Sequence, residues 1–471
     1  MDRVARWLIA AAPVYLVVVL VLALAPTRLL GHDEAVYAVG ARGLWSGNDA
    51  DVYEAHRSIG MRALTAPGVA LDGSERAVRL PFALIAVGYL AAIYALTRRW
   101  FGAPAAALAV AVQVTSAPWL WRTAEALSDL PSALALIGVV ALCAPDDDAG
   151  RRRAVGRAIA TGALAAVACY LRYASVAAVA CIFVTAFVGD AGRRRWLVGA
   201  TAVTLTLLVP LFWWSAATTG TPLGVLASGD RMANRTYYGE GIVFYLRTWP
   251  LTLAGPVAGA VAAIGLAVGL GAWRAGLRHA APTARVRRLL ASAALGQFLL
   301  LGWRAHGESR FVFFAVTALV IVGSGWLAAR ARGWWLAVAA VALTAIPSAL
   351  WALGWLDRMA TRRAAFAEAA AAIRADAAGA SCLVFSTEVP MTVWYTGCRT
   401  IQVDGWGIDP ARATGADRIY LVEARGLPFS IGGAEQATRA ALGWQPIACA
   451  QPDRLCVWRA TRDVSRSDRR P

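Results

Sequence analysis

The chain has 471 residues, of which 59% are hydrophobic, and its mean hydropathy is +0.54. A soluble protein of this length does not need so much apolar side chain, so we predict a polytopic membrane protein. The net charge of +17 comes entirely from arginine, and the arginine clusters lie between apolar segments. This distribution is typical of loops beside anionic lipid and argues against nucleic-acid binding.

The first predicted span covers residues 7–26, which are nearly all apolar. The segment is long enough to cross a bilayer at about 1.5 Å per residue. No small-residue cleavage signal follows it, so we interpret it as a retained helix and not as a removed signal peptide.

Ten further apolar segments follow, which gives about eleven predicted transmembrane helices. They cover residues 79–97, 103–118, 127–144, 157–171, 173–189, 196–214, 250–272, 289–303, 311–329 and 334–355. If the N-terminus is cytoplasmic, every short arginine cluster between spans falls on the cytoplasmic side, as the positive-inside rule requires. An odd number of spans then places the C-terminal region outside the cell membrane.

The loop after the first span, residues 27–78, is too long for a simple connector and is expected to carry function. Ala35 to Trp45 has a helix-like composition, and Ile59 to Leu71 is predicted to form a second interfacial helix. We therefore predict that residues 1–356 form an all-α membrane domain that includes this loop.

Two adjacent carboxylates, Asp33 and Glu34, begin the first outer loop. One would act as a general base that deprotonates an acceptor hydroxyl, while the other positions the substrate. Alternatively, both acids cap the helix that follows, because acids favour a helix N-terminus. An acid pair at a membrane surface favours an enzyme over a passive membrane protein.

A second acidic group, Glu125 and Asp129, lies at another predicted outer boundary. Their i, i+4 spacing places both carboxylates on one helical face, so they could converge with Asp33. The alternative is that Ser128 or Asp129 caps the next span, with Pro131 in its first turn.

The outer loops also carry arginine and histidine side chains suited to phosphate or lipid headgroups. These residues are His56, Arg57, Arg172, Arg231, Arg235, His306 and Arg310. The alternative is that each pairs with an outward acid such as Glu54 or Glu308. Residues 306–311 place four polar or ionisable groups between two spans, which indicates either a functional site or a polar hairpin turn.

The region from 357 to 460 is predicted to be a small extracytoplasmic α/β domain, followed by a disordered tail at 461–471. Arg363 to Ala377 is predicted to be helical. Strands are predicted at Cys382–Phe385, Arg418–Val422 and Arg454–Trp458. Four cysteines in this region favour two disulfides and an oxidising compartment. Local pairing would join Cys382 with Cys398 and Cys449 with Cys456, whereas the alternative is four free thiols.

The pattern over residues 1–355 resembles the GT-C superfamily of integral-membrane glycosyltransferases, in the branch of protein O-mannosyltransferases and bacterial aminoarabinose transferases. The resemblance is carried by Asp33-Glu34, Arg79-Leu80-Pro81, Asp129 and His306-x-Glu308-x-Arg310-Phe311. Many relatives have a Lys-Pro-Pro-type segment in the first loop, whereas the comparable region here contains Arg57.

The resemblance implies inverting transfer of a sugar from a polyprenyl-phosphate carrier to an acceptor hydroxyl on a protein, lipid or glycan. Asp33 would be the base, with Glu34 or Asp129 orienting the substrate and Glu125 in the second acidic group. Arg57, Arg310 and Arg172 would bind the donor phosphate, and His306, Glu308 and His56 would complete the site. No metal or other cofactor is required, although carboxylates could bind a divalent ion. The alternatives are a transporter or flippase for a lipid-linked or small solute, and a non-catalytic envelope-binding partner.

Overall fold

The computed structural model describes most of the chain and divides it into two compact units. It describes residues 2–23, 29–46, 57–123, 125–144, 151–189, 191–231, 235–249, 251–274, 281–402, 415–424, 443–450 and 455–461. The first unit comprises Met1–Leu24, Glu54–Leu64 and Arg79–Trp355. The second comprises Ala25–Tyr53, Thr65–Val78 and Leu356–Pro471.

Helices dominate the described residues, as the apolar composition predicts. In chain order they are α1 Asp2–Ala23, α2 His32–Ser46, α3 Ile59–Leu71, α4 Glu75–Phe101, α5 Ala103–Val114, α6 Ala117–Thr123, α7 Asp129–Cys143, α8 Arg151–Leu171, α9 Ser175–Gly189, α10 Arg194–Thr219, α11 Gly224–Arg231, α12 Glu240–Thr248, α13 Leu251–Ala254, α14 Pro256–Arg274, α15 Pro282–Arg304, α16 Phe313–Ala328, α17 Ala331–Ala377 and α18 Val389–Thr396. A short 3₁₀ helix, Ser309–Val312, precedes α16.

Each of the eleven predicted spans falls on a helix. Among the described residues, six helices are long and apolar enough to cross a membrane, or seven if the bent pair α5 and α6 forms one span. The six lie in α4, α8, α10, α14, α17 and the segment Ser309–Ala328. The other four predicted spans fall on α1, α7, α9 and α15. The predicted fold class, an all-α polytopic membrane fold with a small C-terminal α/β domain, is confirmed.

The bend between α5 and α6 positions part of the candidate site. The two helices meet at 73° across a break at Thr115 and Ser116. The Ser116 hydroxyl donates a hydrogen bond to the Ala254 carbonyl at 2.6 Å, which ties the break to the end of α13. Pro118 lies in the first turn of α6, where backbone N–H groups have no acceptor within the helix, so the absence of its N–H costs no hydrogen bond.

Helices α14 and α16 approach so closely that glycine is required at their crossing. A Cβ atom built on Gly265 would lie 2.0 Å from the Leu319 carbonyl oxygen. One built on Gly323 would lie 2.0 Å from the Val261 carbonyl oxygen. Small residues are the usual means of bringing helix backbones together in a membrane, where dispersion contacts replace the hydrophobic driving force.

The second unit contains a five-stranded sheet with the order β2-β1-β3-β5-β4. The strands are β1 Cys382–Ser386, β2 Arg399–Gln402, β3 Arg418–Ala424, β4 Trp444–Ala450 and β5 Leu455–Ala460. Strand β1 runs parallel to β2 and β3, whereas β5 is antiparallel to β3 and β4. Leu383, Val384 and Phe385 are all buried, as expected for a central strand covered on both faces.

Both disulfides of the second unit have the local pairing expected from the sequence. Cys382 at the start of β1 is bonded to Cys398, which directly precedes β2. Cys449 and Cys456 face each other across β4 and β5 and are also bonded. Each bridge therefore fixes the register of two neighbouring strands.

Two features of the second unit add detail to the predicted organisation. Residues 25–53 and 65–78 of the first loop belong to the second unit, in which α2 packs against α18 through Val39 and Val393. The predicted helix 363–377 is the end of the single 47-residue helix α17. The segment from 356 to 377 is rich in Ala and Arg, which favour helix, and contains no Gly or Pro. Nothing in the sequence therefore ends the helix after the predicted span. Apart from Thr461, the predicted tail lies outside the described residues.

The close crossing of α14 and α16 generates a stability prediction. We expect Gly265→Ala to lower the free energy of unfolding by about 1–3 kcal/mol, because the added methyl group meets backbone atoms that cannot move aside. Gly271→Ala is the matched control on the same helix, since no atom lies within 4 Å of its built Cβ. Thermal unfolding in detergent compares the two; equal melting temperatures would contradict a required glycine at 265.

Candidate functional site

Three segments of the first unit bring charged side chains together through Glu308. Arg122, at the end of α6, places Nη1 3.1 Å from Glu125 Oε2 and Nη2 3.4 Å from Glu308 Oε1. Arg310 Nε lies 2.8 Å from the same Glu308 oxygen. One carboxylate oxygen therefore lies between two guanidinium groups from different parts of the chain.

A second ion pair lies beside the first group. The guanidinium of Arg172, which follows α8, pairs with the carboxylate of Asp129 at the start of α7. Arg172 also lies over the Phe311 ring at 4.7 Å, and Arg310 lies 5.6 Å from the centre of that ring. The His306 ring contacts Phe311 edge-on at 5.7 Å. Phe311 thus joins the two ion-pair groups.

We call these six charged residues the polar network: Arg122, Glu125, Asp129, Arg172, Glu308 and Arg310. The network contains three guanidinium groups and three carboxylates, so it carries no net formal charge. Its side chains are largely buried, with relative exposures of 4% for Asp129, 8% for Glu125 and 28% for Glu308. Charges this deeply placed are stable only when they are paired. Glu308 is the network carboxylate that water reaches most easily.

The backbone of the loop after α15 is shaped to present Glu308. Gly307 has a φ of 90°, and a Cβ built on it would lie 2.6 Å from Cβ of Phe244 on α12. Gly241 on α12 and Gly302 on α15 also lie close together. A Cβ atom built on Gly241 would lie 2.6 Å from the Ala305 carbonyl oxygen and 2.9 Å from Cα of Gly302. Glycine is therefore needed for α12 to pack against the end of α15 and its loop.

Tyr245 on α12 borders the network. Its side chain is 4% exposed, and the charges of Arg172, Glu308 and Asp129 all act on its hydroxyl group. Burial raises the pKa of Tyr245, so the hydroxyl group stays protonated at neutral pH. It is therefore a neutral hydrogen-bond donor at the edge of a charged cluster.

The segment that begins at Arg57 is anchored next to Arg172. The Tyr173 hydroxyl donates to the Arg57 carbonyl at 3.2 Å, and the Ser58 hydroxyl donates to the Leu171 carbonyl at 2.6 Å. Gly60 packs against the Tyr170 backbone: a Cβ atom built on Gly60 would lie 2.6 Å from the Tyr170 carbonyl oxygen. Arg57 is thus held by its backbone to the residues that flank Arg172.

In the second unit, Glu34 and Asp33 have different surroundings. Glu34 is 1% exposed, accepts a hydrogen bond from the Gly31 N–H at 2.8 Å, and lies 3.5 Å from Nη1 of Arg363. The contact to Gly31 is the carboxylate half of a capping box for α2, which agrees with the capping alternative for this residue. Asp33 lies in the same first turn and is half-buried.

The ends of this turn are also held by polar contacts. The Arg363 guanidinium donates to the Leu29 carbonyl at 2.8 Å, and the Leu30 N–H donates to the Tyr395 hydroxyl at 2.6 Å. His32 Nδ1 lies 3.0 Å from Oε2 of Glu388. The backbone around Asp33 is therefore fixed from several sides.

The structure brings six of the predicted site residues together: Glu125, Asp129, Arg172, His306, Glu308 and Arg310. Asp33 and Glu34 belong to the second unit, and His56 lies outside the described residues. Arg122 and Tyr245 also belong to this region and were not predicted from the sequence. The three-residue spacing of Arg122 and Glu125 on a helical turn was an available signal for the first, whereas no local pattern indicated Tyr245.

The fold and the polar network define a polytopic membrane protein with a charged site at the ends of its apolar helices. Residues 57–215 match the family model of dolichyl-phosphate-mannose-protein mannosyltransferases. That interval contains Arg57, Arg122, Glu125, Asp129 and Arg172. No curated protein sequence matches the chain.

Solved structures extend the similarity over the whole chain. The apo crystal structure of ArnT from Cupriavidus metallidurans matches with a TM-score of 0.71 at 17% identity, covering 98% of this chain and 99% of that one. The same protein bound to undecaprenyl phosphate gives 0.70 at 18% identity, covering 98% of each chain. The Archaeoglobus fulgidus oligosaccharyltransferase, tethered to an acceptor peptide with the NVT sequon, gives 0.56 at 13% identity, covering 88% of this chain and 69% of that one. The chain therefore has the fold of ArnT over almost its full length, in agreement with the resemblance seen in the sequence.

The buried pair of Asp129 and Arg172 generates a prediction. Asp129→Asn should lower the free energy of unfolding by about 3–5 kcal/mol, because it leaves a guanidinium in a poorly hydrated position without its partner. The double variant Asp129→Asn with Arg172→Gln should be less destabilised than the sum of the two single variants. A double-mutant cycle of thermal unfolding measures this coupling, and strict additivity would contradict a stabilising pair.

Proposed function

We propose that the protein transfers a sugar from a polyprenyl-phosphate donor to an acceptor hydroxyl group at the outer face of the cytoplasmic membrane. The observation that carries the proposal is the polar network, in which Arg122 and Arg310 flank the accessible Glu308 carboxylate and Arg172 pairs with Asp129 beside them. The match to dolichyl-phosphate-mannose-dependent enzymes and the fold shared with ArnT, which was crystallised with undecaprenyl phosphate, support a lipid-phosphate donor.

The network is suited to hold the phosphate of such a donor. Guanidinium groups remain charged in a low dielectric and form bidentate contacts with phosphate oxygens. Arg310 and Arg172 share the Phe311 ring, and Arg57 is anchored beside Arg172. The negative charge that develops on the leaving phosphate would be stabilised by the same arginines during transfer.

Because the network is already neutral, a phosphate cannot simply be added beside its carboxylates. We propose that it replaces Glu308 between Arg122 and Arg310. Glu308 is the most exposed of the three acids and lies on a loop, whereas Asp129 and Glu125 are nearly buried. The carboxylate would thus keep the two guanidinium groups paired until the donor arrives.

This exchange predicts opposite effects at neighbouring positions. Glu308→Gln should bind polyprenyl phosphate about threefold to tenfold more tightly than the wild type, because it removes a competing anion. Arg310→Gln should bind it more weakly, since one phosphate ligand is lost. Binding to the detergent-solubilised protein can be followed by intrinsic tryptophan fluorescence.

The matched control for Glu308→Gln is Glu240→Gln on α12. It removes the same charge nearby, but the Glu240 carboxylate contacts only the Thr236 N–H among described groups. Weaker binding by Glu308→Gln, or an equal gain in Glu240→Gln, would contradict the exchange.

We further propose that Asp33 is the general base that takes the proton from the acceptor hydroxyl group. Its neighbour Glu34 is occupied by the Gly31 N–H and Arg363, which leaves Asp33 as the less buried acid of the pair. Direct displacement of the lipid phosphate by the activated hydroxyl would invert the anomeric centre. In this proposal the N-terminus is cytoplasmic, and Asp33 and the C-terminal domain face the other side.

Substitutions of Asp33 and Glu34 should have different effects on sugar transfer and on thermal stability. Asp33→Asn should reduce the rate of sugar transfer by at least about a hundredfold, the usual contribution of a general base, with little change in melting temperature. Glu34→Gln should instead lower the melting temperature, because it removes the buried charge that pairs with Arg363, although the amide oxygen can still accept the Gly31 N–H. Transfer is measured as release of radiolabelled sugar from a polyprenyl-phosphate donor; near wild-type transfer by Asp33→Asn would exclude this residue as the base.

A further inference from the structure

A pair of arginines lies where α4 ends, α15 begins and α16 ends, at the opposite ends of α15 and α16 from Glu308 and Arg310. Arg287 is in the first two turns of α15, and Arg330 directly follows α16. Both belong to segments that the arginine distribution predicts to be cytoplasmic. We call Arg287 and Arg330 the arginine pair.

Aromatic rings hold both guanidinium groups in place. Arg287 lies 5.7 Å from the centre of the Phe101 ring, and that ring packs against Gly325, where a built Cβ would lie 2.6 Å from Phe101 Cγ. Arg330 lies 3.8 Å above the Trp326 ring and donates to the Trp326 carbonyl at 3.0 Å. Stacking on ring faces orients a guanidinium while leaving its edge available to an acceptor.

The two charges repel each other and have no counter-ion in the described part of the chain. The Arg330 charge acts unfavourably on the partly buried Arg287. Nε of Arg287 is buried and has no hydrogen-bond acceptor among the described groups. Neither guanidinium forms an ion pair with a described carboxylate. A buried charged donor without an acceptor is unfavourable, so this arrangement favours an anion.

We propose that the arginine pair binds the phosphate group of an anionic phospholipid at the predicted cytoplasmic boundary. Two guanidinium forks offer several N–H donors to the oxygens of one phosphate, whose charge would remove their mutual repulsion. The lipid is favoured over free phosphate because the pair lies at the ends of three apolar helices, and the half-exposed Trp335 follows shortly after Arg330 in the first turns of α17. The site shares no residue with the proposed donor site.

Retention of lipid during purification tests the proposal. The wild-type protein is reconstituted in phosphatidylcholine nanodiscs with or without phosphatidylglycerol, extracted in mild detergent, and examined by native mass spectrometry. We expect the wild type to retain one phosphatidylglycerol in preference to phosphatidylcholine. Arg287→Gln with Arg330→Gln should lower this occupancy at least about tenfold, as expected when two phosphate contacts are lost.

Arg332→Gln is the matched control, because it removes one exposed charge two residues from Arg330 and has no described ring contact or ion pair. It should retain the lipid as the wild type does. Arg330→Gln alone changes an exposed residue and therefore serves if the double variant unfolds. Its occupancy should fall between those of the wild type and the double variant.

The remaining arms distinguish the sources of phosphate. Inorganic phosphate added to the detergent-solubilised protein should not displace the retained lipid. Displacement at low millimolar concentration would overturn the assignment in favour of a free-phosphate site. Equal retention by the wild type, the double variant and Arg332→Gln would overturn the site altogether, whatever the outcome of the transfer assays.

Discussion

The pairing of three guanidinium groups with three carboxylates is the constraint on which the first unit depends. Asp129 and Glu125 lie in surroundings with little water, so neither charge is stable without its partner. The segments that carry these charges are distant in sequence: Arg122 and Asp129 flank one loop, Arg172 follows α8, and Glu308 follows α15. Their pairing therefore fixes how the helix ends meet, and it also limits what can bind there. A neutral cluster accepts an anion only by giving up one of its own.

Several helices of the first unit approach each other closely at glycine. Gly265 and Gly323 allow α14 to cross α16, and Gly241 and Gly302 allow α12 to lie on α15. In a bilayer the apolar helices gain little from burying hydrophobic surface against each other, so close packing and interhelical polar contacts must determine their arrangement. The packing glycines and the ion pairs thus both constrain how the helices of the first unit are arranged.

Features of this structure that depend on residues close together in the sequence were predicted, whereas those that depend on distant residues were not. Helix α3 was predicted with its observed bounds, because Ile59–Leu71 is apolar and lies between polar segments. Strands β1, β3 and β5 were predicted from their β-branched and aromatic residues, whereas β2 and β4 were missed. Strand β2 has only four residues at the sheet edge, and β4 contains a proline at an irregularity in its pairing. The grouping of Glu308 with Arg122 could not be predicted, because it depends on how α6 and the loop after α15 meet. Tyr245 borders the network for the same reason.

Adjacent acids in this chain illustrate why residue type alone does not assign a role. Asp33 and Glu34 are consecutive, and both lie in the first turn of α2, where the helix dipole favours negative charge. Glutamate at the third helical position reaches back to the Gly31 N–H, and there it also meets Arg363. Aspartate one position earlier has a shorter side chain and is only half-buried. The helix geometry assigns the longer acid to capping, which leaves the shorter one as the candidate for chemistry. The same reasoning separates Glu308 from Asp129: Glu308 lies on a loop and is partly exposed, which is why we propose that it exchanges its partners, whereas Asp129 is buried at the start of a helix.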